Sequence, residues 1–288
     1  MLEQTLTPEA LPTSIRSSLG EGPCWQADRL HWVDITGRQL HSSTLDGSEV
    51  RSVYLPQMAG FVVPHADGGW VAGFQDGLWH SDANLTEWRR LWAASYPLET
   101  HRLNDGKTDP QGRVWFGSMT YAELEPASAL YRYDAAGVSE QMAGVTTSNG
   151  LGWSPDQRTF YYTDSLPRVI WAFDFDSATG DISSPRVFAH DPEGYLPDGG
   201  AVDDEGCFWS AKWNGGRIVR YAPDGRIDLV WHLPVANPTS CAFAGPDRSI
   251  LAVTTAQAVD PGRAHELDGS VLLIPTTTTG PAPTLARF

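Results

Sequence analysis

A short pattern that returns every 40 to 49 residues restricts the fold of this chain more than any other feature. In each copy a tight turn precedes an aromatic or β-branched run. The turn residue is Asp28 before Arg29-Leu30-His31-Trp32-Val33, Gly68 before Gly69-Trp70-Val71, and Gly112 before Arg113-Val114-Trp115-Phe116. It returns as Gln157 before Arg158-Thr159-Phe160-Tyr161-Tyr162, Gly206 before Cys207-Phe208-Trp209, and Asp247 before Arg248-Ser249-Ile250-Leu251. A second alternating run follows in several copies and ends in its own turn, as in Leu130-Tyr131-Arg132-Tyr133 before Asp134-Ala135-Ala136-Gly137. This is the period of a four-stranded propeller blade. Six copies predict an all-β, six-bladed β-propeller, with residues 1–288 in one domain. Residues 7–18 are expected to add a strand to the last blade and close the ring, removing an exposed sheet edge. A β-sandwich would turn every ~8–12 residues without this longer period. The best helical candidate, 87–94, is short.

Composition narrows the class. Hydrophobic residues make up 41% of the 288 and twelve are Trp, enough for a large strand-rich core. The formal charge of −15 argues against a nucleic-acid partner and disfavours polyanions, whereas a neutral small molecule meets no such barrier. No apolar run is long enough to span a membrane, and residues 1–19 lack the pattern of a secretory signal. Three cysteines, Cys24, Cys207 and Cys241, are an odd number without metal or redox spacing, so a reducing, cytoplasmic location is expected.

The first strand of each blade lines the central channel of a propeller, so equivalent positions form a ring. Counting back from the turns, this ring holds Glu21, Gly60, Asn104, Asn149, Asp198 and Thr239. Four of these carry strong oxygen donors: Glu21, Asn104, Asn149 and Asp198. Two inward carboxylates repel and take up protons unless a cation lies between them. All-oxygen donors suit Ca²⁺, Mg²⁺ or Mn²⁺. Taken singly, Asn104-Asp105-Gly106, Asn149-Gly150 and Asp198-Gly199 are also ordinary turn sequences, and the register alone leaves both readings open.

At these residues the chain resembles the senescence-marker-protein/gluconolactonase family, which includes regucalcin and bacterial sugar lactonases. The motifs that carry the resemblance are Leu19-Gly20-Glu21-Gly22-Pro23 with Trp25, and Arg102-Leu103-Asn104-Asp105-Gly106-Lys107 with Asp109-Pro110-Gln111-Gly112-Arg113. Phe116-Gly117-Ser118-Met119, Ser148-Asn149-Gly150-Leu151, Pro197-Asp198-Gly199 and Asn214-Gly215-Gly216 follow in order. The resemblance implies one divalent metal in the channel (calcium, manganese, magnesium or zinc) held by Glu21, Asn149 and Asp198. It implies Arg102 and Asn104 as substrate-binding residues. An acidic residue often found in the substrate loop aligns here with Ala122, so Tyr121 and Glu123 are the flanking candidates for that role.

The resemblance and the donor set point to hydrolysis of a sugar lactone, such as gluconolactone or a pentonolactone, to its aldonic acid. Asp198 is then the expected general base, and Trp213 offers either a flat face to the sugar or a packing residue. His101 is expected to pack beside Arg102, and Lys107 to pair with a carboxylate. The chain has no Gly-x-Ser-x-Gly elbow, phosphate loop or dinucleotide fingerprint. Two alternatives remain: a non-catalytic calcium- or ligand-binding propeller, and a broader paraoxonase-like esterase.

Overall fold

The computed structural model describes residues 1–288 as six sheets, antiparallel but for one added edge strand. The successive sheets span residues 20–54, 59–93, 101–145, 148–190, 196–232 and 238–275, and are numbered here as blades one to six. Each runs outward in chain order from its innermost strand, and each innermost strand touches the next. Gly20–Gln26, Ala59–Pro64, His101–Thr108, Ser148–Trp153, Leu196–Val202 and Pro238–Ala244 thus form a closed circle. Glu9–Ala10 pairs antiparallel with Val271–Pro275 as the outer strand of the sixth blade, in register Glu9 with Leu273. An additional strand, Leu2–Thr5, runs parallel to Ile227–His232 and makes the fifth blade five-stranded. The 87–94 stretch is not helical. Trp88–Ala93 is the outer strand of the second blade, paired with Gly77–Ser81 around a bulge at Arg90/Trp92. Edge pairing overrides its weak local helical preference.

The repeat has a physical basis in the turn. Asp28, Gly68, Gly112, Gln157 and Gly206 all have positive φ, between 57° and 96°. In the sixth blade the left-handed residue is Arg248 (φ 55°), one position after the expected Asp247. In several blades an upstream side chain ties the turn down. Asp109 Oδ1 accepts from the Gln111 and Arg113 amides at 2.9 and 3.0 Å, and its Oδ2 accepts from Trp115 Nε1 at 3.1 Å. Asp203 repeats this with Glu205, Cys207 and Trp209. In the fourth blade Ser154 takes the part, accepting from the Thr159 amide at 2.9 Å.

The apolar core is six wedges, one between each pair of neighbouring blades. Trp115, Trp153, Phe160 and Phe175 fill the wedge between blades three and four. Phe61 lies against Gly73 and Gly106, where a Cβ would stand 2.1 and 2.6 Å from its ring. Burying such a side chain contributes about 1.5–3 kcal/mol. Because both faces of every sheet are covered by neighbouring blades, the axis itself is left free for polar side chains.

Candidate functional site

Every innermost strand is bulged at or beside its ring residue. The pairing register with the second strand shifts at Glu21/Cys24, Ala59/Phe61, Leu103/Gly106, Asn149/Leu151, Pro197/Gly200 and Pro238/Ser240. A bulge breaks strict side-chain alternation and re-aims the local side chains. Here it frees consecutive residues, Asn104 and Asp105, from the ladder on the same strand.

The structure brings the predicted residues together. Glu21, Arg102, Asn104, Asn149 and Asp198 are all buried, with 5–8% of their surface exposed. Asn104 Nδ2 donates to Asn149 Oδ1 at 2.9 Å and to the Ser148 carbonyl at 2.8 Å. Arg102 Nη1 donates to Asn104 Oδ1 and to the Leu103 carbonyl. Asn149 Nδ2 donates to Ser165 Oγ at 2.8 Å, which fixes the amide with its carbonyl oxygen toward Asn104. The two remaining ring members explain themselves. At Gly60 a Cβ would lie 2.0 Å from the Asn104 carbonyl oxygen, so no side chain fits. Thr239 Oγ1 donates to the Gly20 carbonyl at 2.5 Å, joining the sixth blade to the first.

Electrostatics mark this centre as short of positive charge. Burial holds the Glu21 carboxyl well above the usual range, and the nearby charges of Asp198 and Asp105 add to the effect. Burial, then Asp105, does the same to Asp198. Asp105 is itself raised by burial, against the pull of Lys107 and of the Gly106 and Gly150 amides. The sequence alone does not single out Asp105, because in Asn104-Asp105-Gly106 it reads as turn chemistry. Only the bulge shows that it joins the acidic group. Arg102 is a guanidinium whose charge acts on both Glu21 and Asp198, and burial lowers its own pKa.

The donor set fits a hard divalent cation. Two carboxylates and an amide carbonyl are buried at one locus, a third carboxylate stands near, and a buried arginine faces the acids. A cation held there would favour the ionised form of both carboxyls.

The residues expected on the substrate side divide. Glu123 Oε1 accepts from Thr147 Oγ1 at 3.1 Å, and its charge acts on both Asp198 and Arg102. Tyr121 is 43% exposed and its field reaches Arg102. Both lie on the loop after Val114–Thr120, together with the exposed Ala122. Trp213 is half-buried and lines a surface cavity beside Leu196. His101 stacks on Tyr96 with ring centroids 5.2 Å apart, a packing role. Lys107 does not pair with a carboxylate as expected; its Nζ donates to the Gly200 carbonyl across the channel at 2.6 Å. Below the ring the channel holds a cavity of about 330 Å³ bordered by Asp105, Lys107, Cys24 and Cys241, with 281–284 along its wall. Two other ligand-like groups lie elsewhere: His65, Asp67 and His80, and Asp203, Glu205 and Cys207. In the second, both carboxylates are already paired with Arg220, at 2.7 and 2.5 Å.

Residues 19–257 match the family described as the SMP-30/Gluconolactonase/LRE-like region. The chain belongs to this family. Its relatives include the 6-deoxy-6-sulfogluconolactonase of Pseudomonas putida, 35% identical over 84% of each chain. They also include the pentonolactonase XacC of Haloferax volcanii, 35% identical over 88% of this chain and 86% of that one. Among solved structures, a calcium-binding protein, regucalcin, from Agrobacterium tumefaciens superposes with a TM-score of 0.94 over 100% of both chains, at 26% identity. The six-bladed architecture is therefore that of the family.

Gly150 sits where the fourth and fifth blades meet at the ring, with φ of 35°. A Cβ there would stand 2.5 Å from Thr163 Oγ1 and 2.7 Å from the Asp198 carbonyl oxygen. Gly150→Ala forces Asn149 and Asp198 apart. The expected result is a fall in lactone kcat/KM of about 10²-fold, the scale of a ~1 Å misplacement, with a lowered Tm; wild-type values in both would show that the contact is not tight.

Proposed function

We propose that this protein hydrolyses a sugar lactone to its aldonic acid, with one divalent cation held by Glu21, Asn149 and Asp198. The observation that carries this is the convergence of mutually repelling, buried carboxylates with amide oxygens and a buried arginine at one end of the channel. The names of the relatives support the substrate class. When bound, the cation supplies a Lewis acid for the lactone carbonyl.

The remaining work falls to the chain itself. Arg102 Nη1 is held by Asn104 Oδ1 and the Leu103 carbonyl, so the guanidinium is fixed before the sugar arrives, and Asn104, whose Nδ2 donates to Ser148 and Asn149, offers the sugar its remaining Oδ1 lone pair. Tyr121 and Glu123, from the loop above, meet the outward side of the ring sugar. Asp198 accepts the proton of the attacking water at a carboxylate oxygen. The burial of Glu21, Arg102, Asn104, Asn149 and Asp198 strengthens each of these interactions. The three cysteines are free, which favours a reducing compartment such as the cytoplasm. No helix is long and apolar enough to cross a membrane.

Proton release from glucono-1,5-lactone, followed with and without a chelator, tests this. Catalysed opening that stops on chelation and returns with Ca²⁺, Mn²⁺, Mg²⁺ or Zn²⁺ is the expected result. Opening at only the spontaneous rate, with cation binding intact, would instead favour a calcium-binding propeller, the character ascribed to the Agrobacterium tumefaciens regucalcin.

A further inference from the structure

A cavity of about 430 Å³ opens where the fourth, fifth and sixth blades meet. Its walls include Leu196 and Trp213, which face one another across the first strand pair of the fifth blade. Leu196 stands two residues before Asp198, roughly 7 Å along the strand. On the opposite wall, the Arg168 amide closes a tight turn on the Ser165 carbonyl at 2.9 Å. Ser165 Oγ is the acceptor that orients Asn149. The cavity thus shares its walls with the elements that carry Asn149 and Asp198.

Its chemistry differs from that of the ring. Two arginines, Arg168 and Arg263, border it, and neither forms an ion pair. Arg168 Nε is buried without an acceptor, and a buried donor left unmatched is costly. Arg263 is held through Asn214, Nη1 to the side-chain oxygen and Nη2 to the backbone oxygen at 3.1 Å. Both acceptors are neutral. Asp260 also borders the cavity, but its Oδ1 is engaged by the Gly262 amide at 2.8 Å. With the Asp260 carboxylate counted against the two guanidinium groups, the cavity lining carries one net positive charge in a chain of net charge −15. Tyr195 and Trp213 add flat apolar surface beside them. A neutral polyol tail leaves these cations without a counter-charge, whereas an oxyanion supplies one.

We propose that this cavity receives the far end of the lactone, and that the preferred substrate carries an anionic group there, a phosphate or a sulfonate, bound by Arg168 and Arg263. The proposal rests on the lactonase reading and adds the substrate class to it.

The test compares kcat/KM for glucono-1,5-lactone with that for its 6-phosphate and its 6-deoxy-6-sulfonate. The wild-type protein is expected to prefer at least one anionic lactone by about tenfold or more, and the two anionic arms distinguish phosphate from sulfonate. Arg168→Gln and Arg263→Gln are each expected to shrink that preference, and the double variant to bring the ratio close to one. Equal use of all three lactones by the wild type, or a preference that survives both substitutions, overturns the proposal. If no lactone opens faster than it does spontaneously, the hydrolysis reading is what fails. Calorimetric binding of 6-phosphogluconate, 6-deoxy-6-sulfogluconate and gluconate then decides the cavity: tighter binding of either anionic-tail acid, lost in Arg168→Gln, sustains it, and equal binding of all three overturns it.

Discussion

Asp198→Ala is expected to reduce catalysed lactone opening by about 10³-fold or more, the largest effect of any single substitution in this chain. Asp198 is asked to do two things, to hold the cation and to accept a proton, and Ala removes both. Asp198→Asn separates them. It keeps an oxygen donor while removing the charge and the base, so cation affinity should survive in part while turnover is lost. Proton release in a pH-stat measures the first, and calorimetric titration with Ca²⁺ or Mn²⁺ the second. An Asp198→Ala protein that still opens the lactone in a metal-dependent way would sink the assignment. Glu21→Gln provides the contrast, since it removes a charge from the same locus without removing the proposed base.

The second large effect is a reversal in how pH acts on stability when the cation is removed. Burial and mutual repulsion raise the carboxyls of Glu21 and Asp198 well above their ordinary values in the cation-free protein. The folded state therefore binds more protons than the unfolded chain over the interval between the two sets of values. Unfolding free energy must then fall as pH rises through that interval. A chelated sample is expected to be more stable near pH 5 than near pH 8 in this contribution. Added cation acts in the opposite sense, because it binds the ionised pair. At 100 times its dissociation constant it stabilises by about 2.7 kcal/mol, and that gain is greatest at the higher pH. Thermal melts of chelated and cation-loaded protein at pH 5, 6.5 and 8 check this. A cation shift that is the same at all three values would mean that Glu21 and Asp198 are not the groups being titrated.

The fold is legible in the sequence because its signal is a geometric necessity. A left-handed residue is needed at each inner hairpin, and Asp, Gly or Gln at that position, followed by aromatic residues, is visible in the amino-acid sequence. The one-residue offset at Asp247/Arg248 shows the limit of that signal, since Asp-Arg-Ser reads equally well in either register. The site is legible in part for the same reason, because positions related by the repeat must share a height on the axis. What escapes is anything produced by the bulges. Strand alternation puts Asn104 and Asp105 on opposite faces, and only the register shift between Leu103 and Gly106 sets Asp105 among the acids. Lys107 misleads because its partner is a backbone carbonyl on the fifth blade, Gly200, and carbonyls leave no trace in composition. The strand at Trp88–Ala93 shows no clear alternation, as its bulge breaks the period at Arg90/Trp92.

The sixth blade combines Glu9–Ala10 with three strands from near the other end of the chain. During synthesis, blades one to five can emerge and pack in turn, but the outer strand Glu9–Ala10 has no partner to pair with until Val271–Pro275 has left the ribosome. The nascent protein therefore spends most of translation as an open arc, with the apolar flanks of Leu11, Leu30 and Trp32 unshielded. A circular permutant that begins between the first and second blades would assemble the sixth sheet from contiguous sequence, and would report how much this late clasp contributes to holding the finished molecule together.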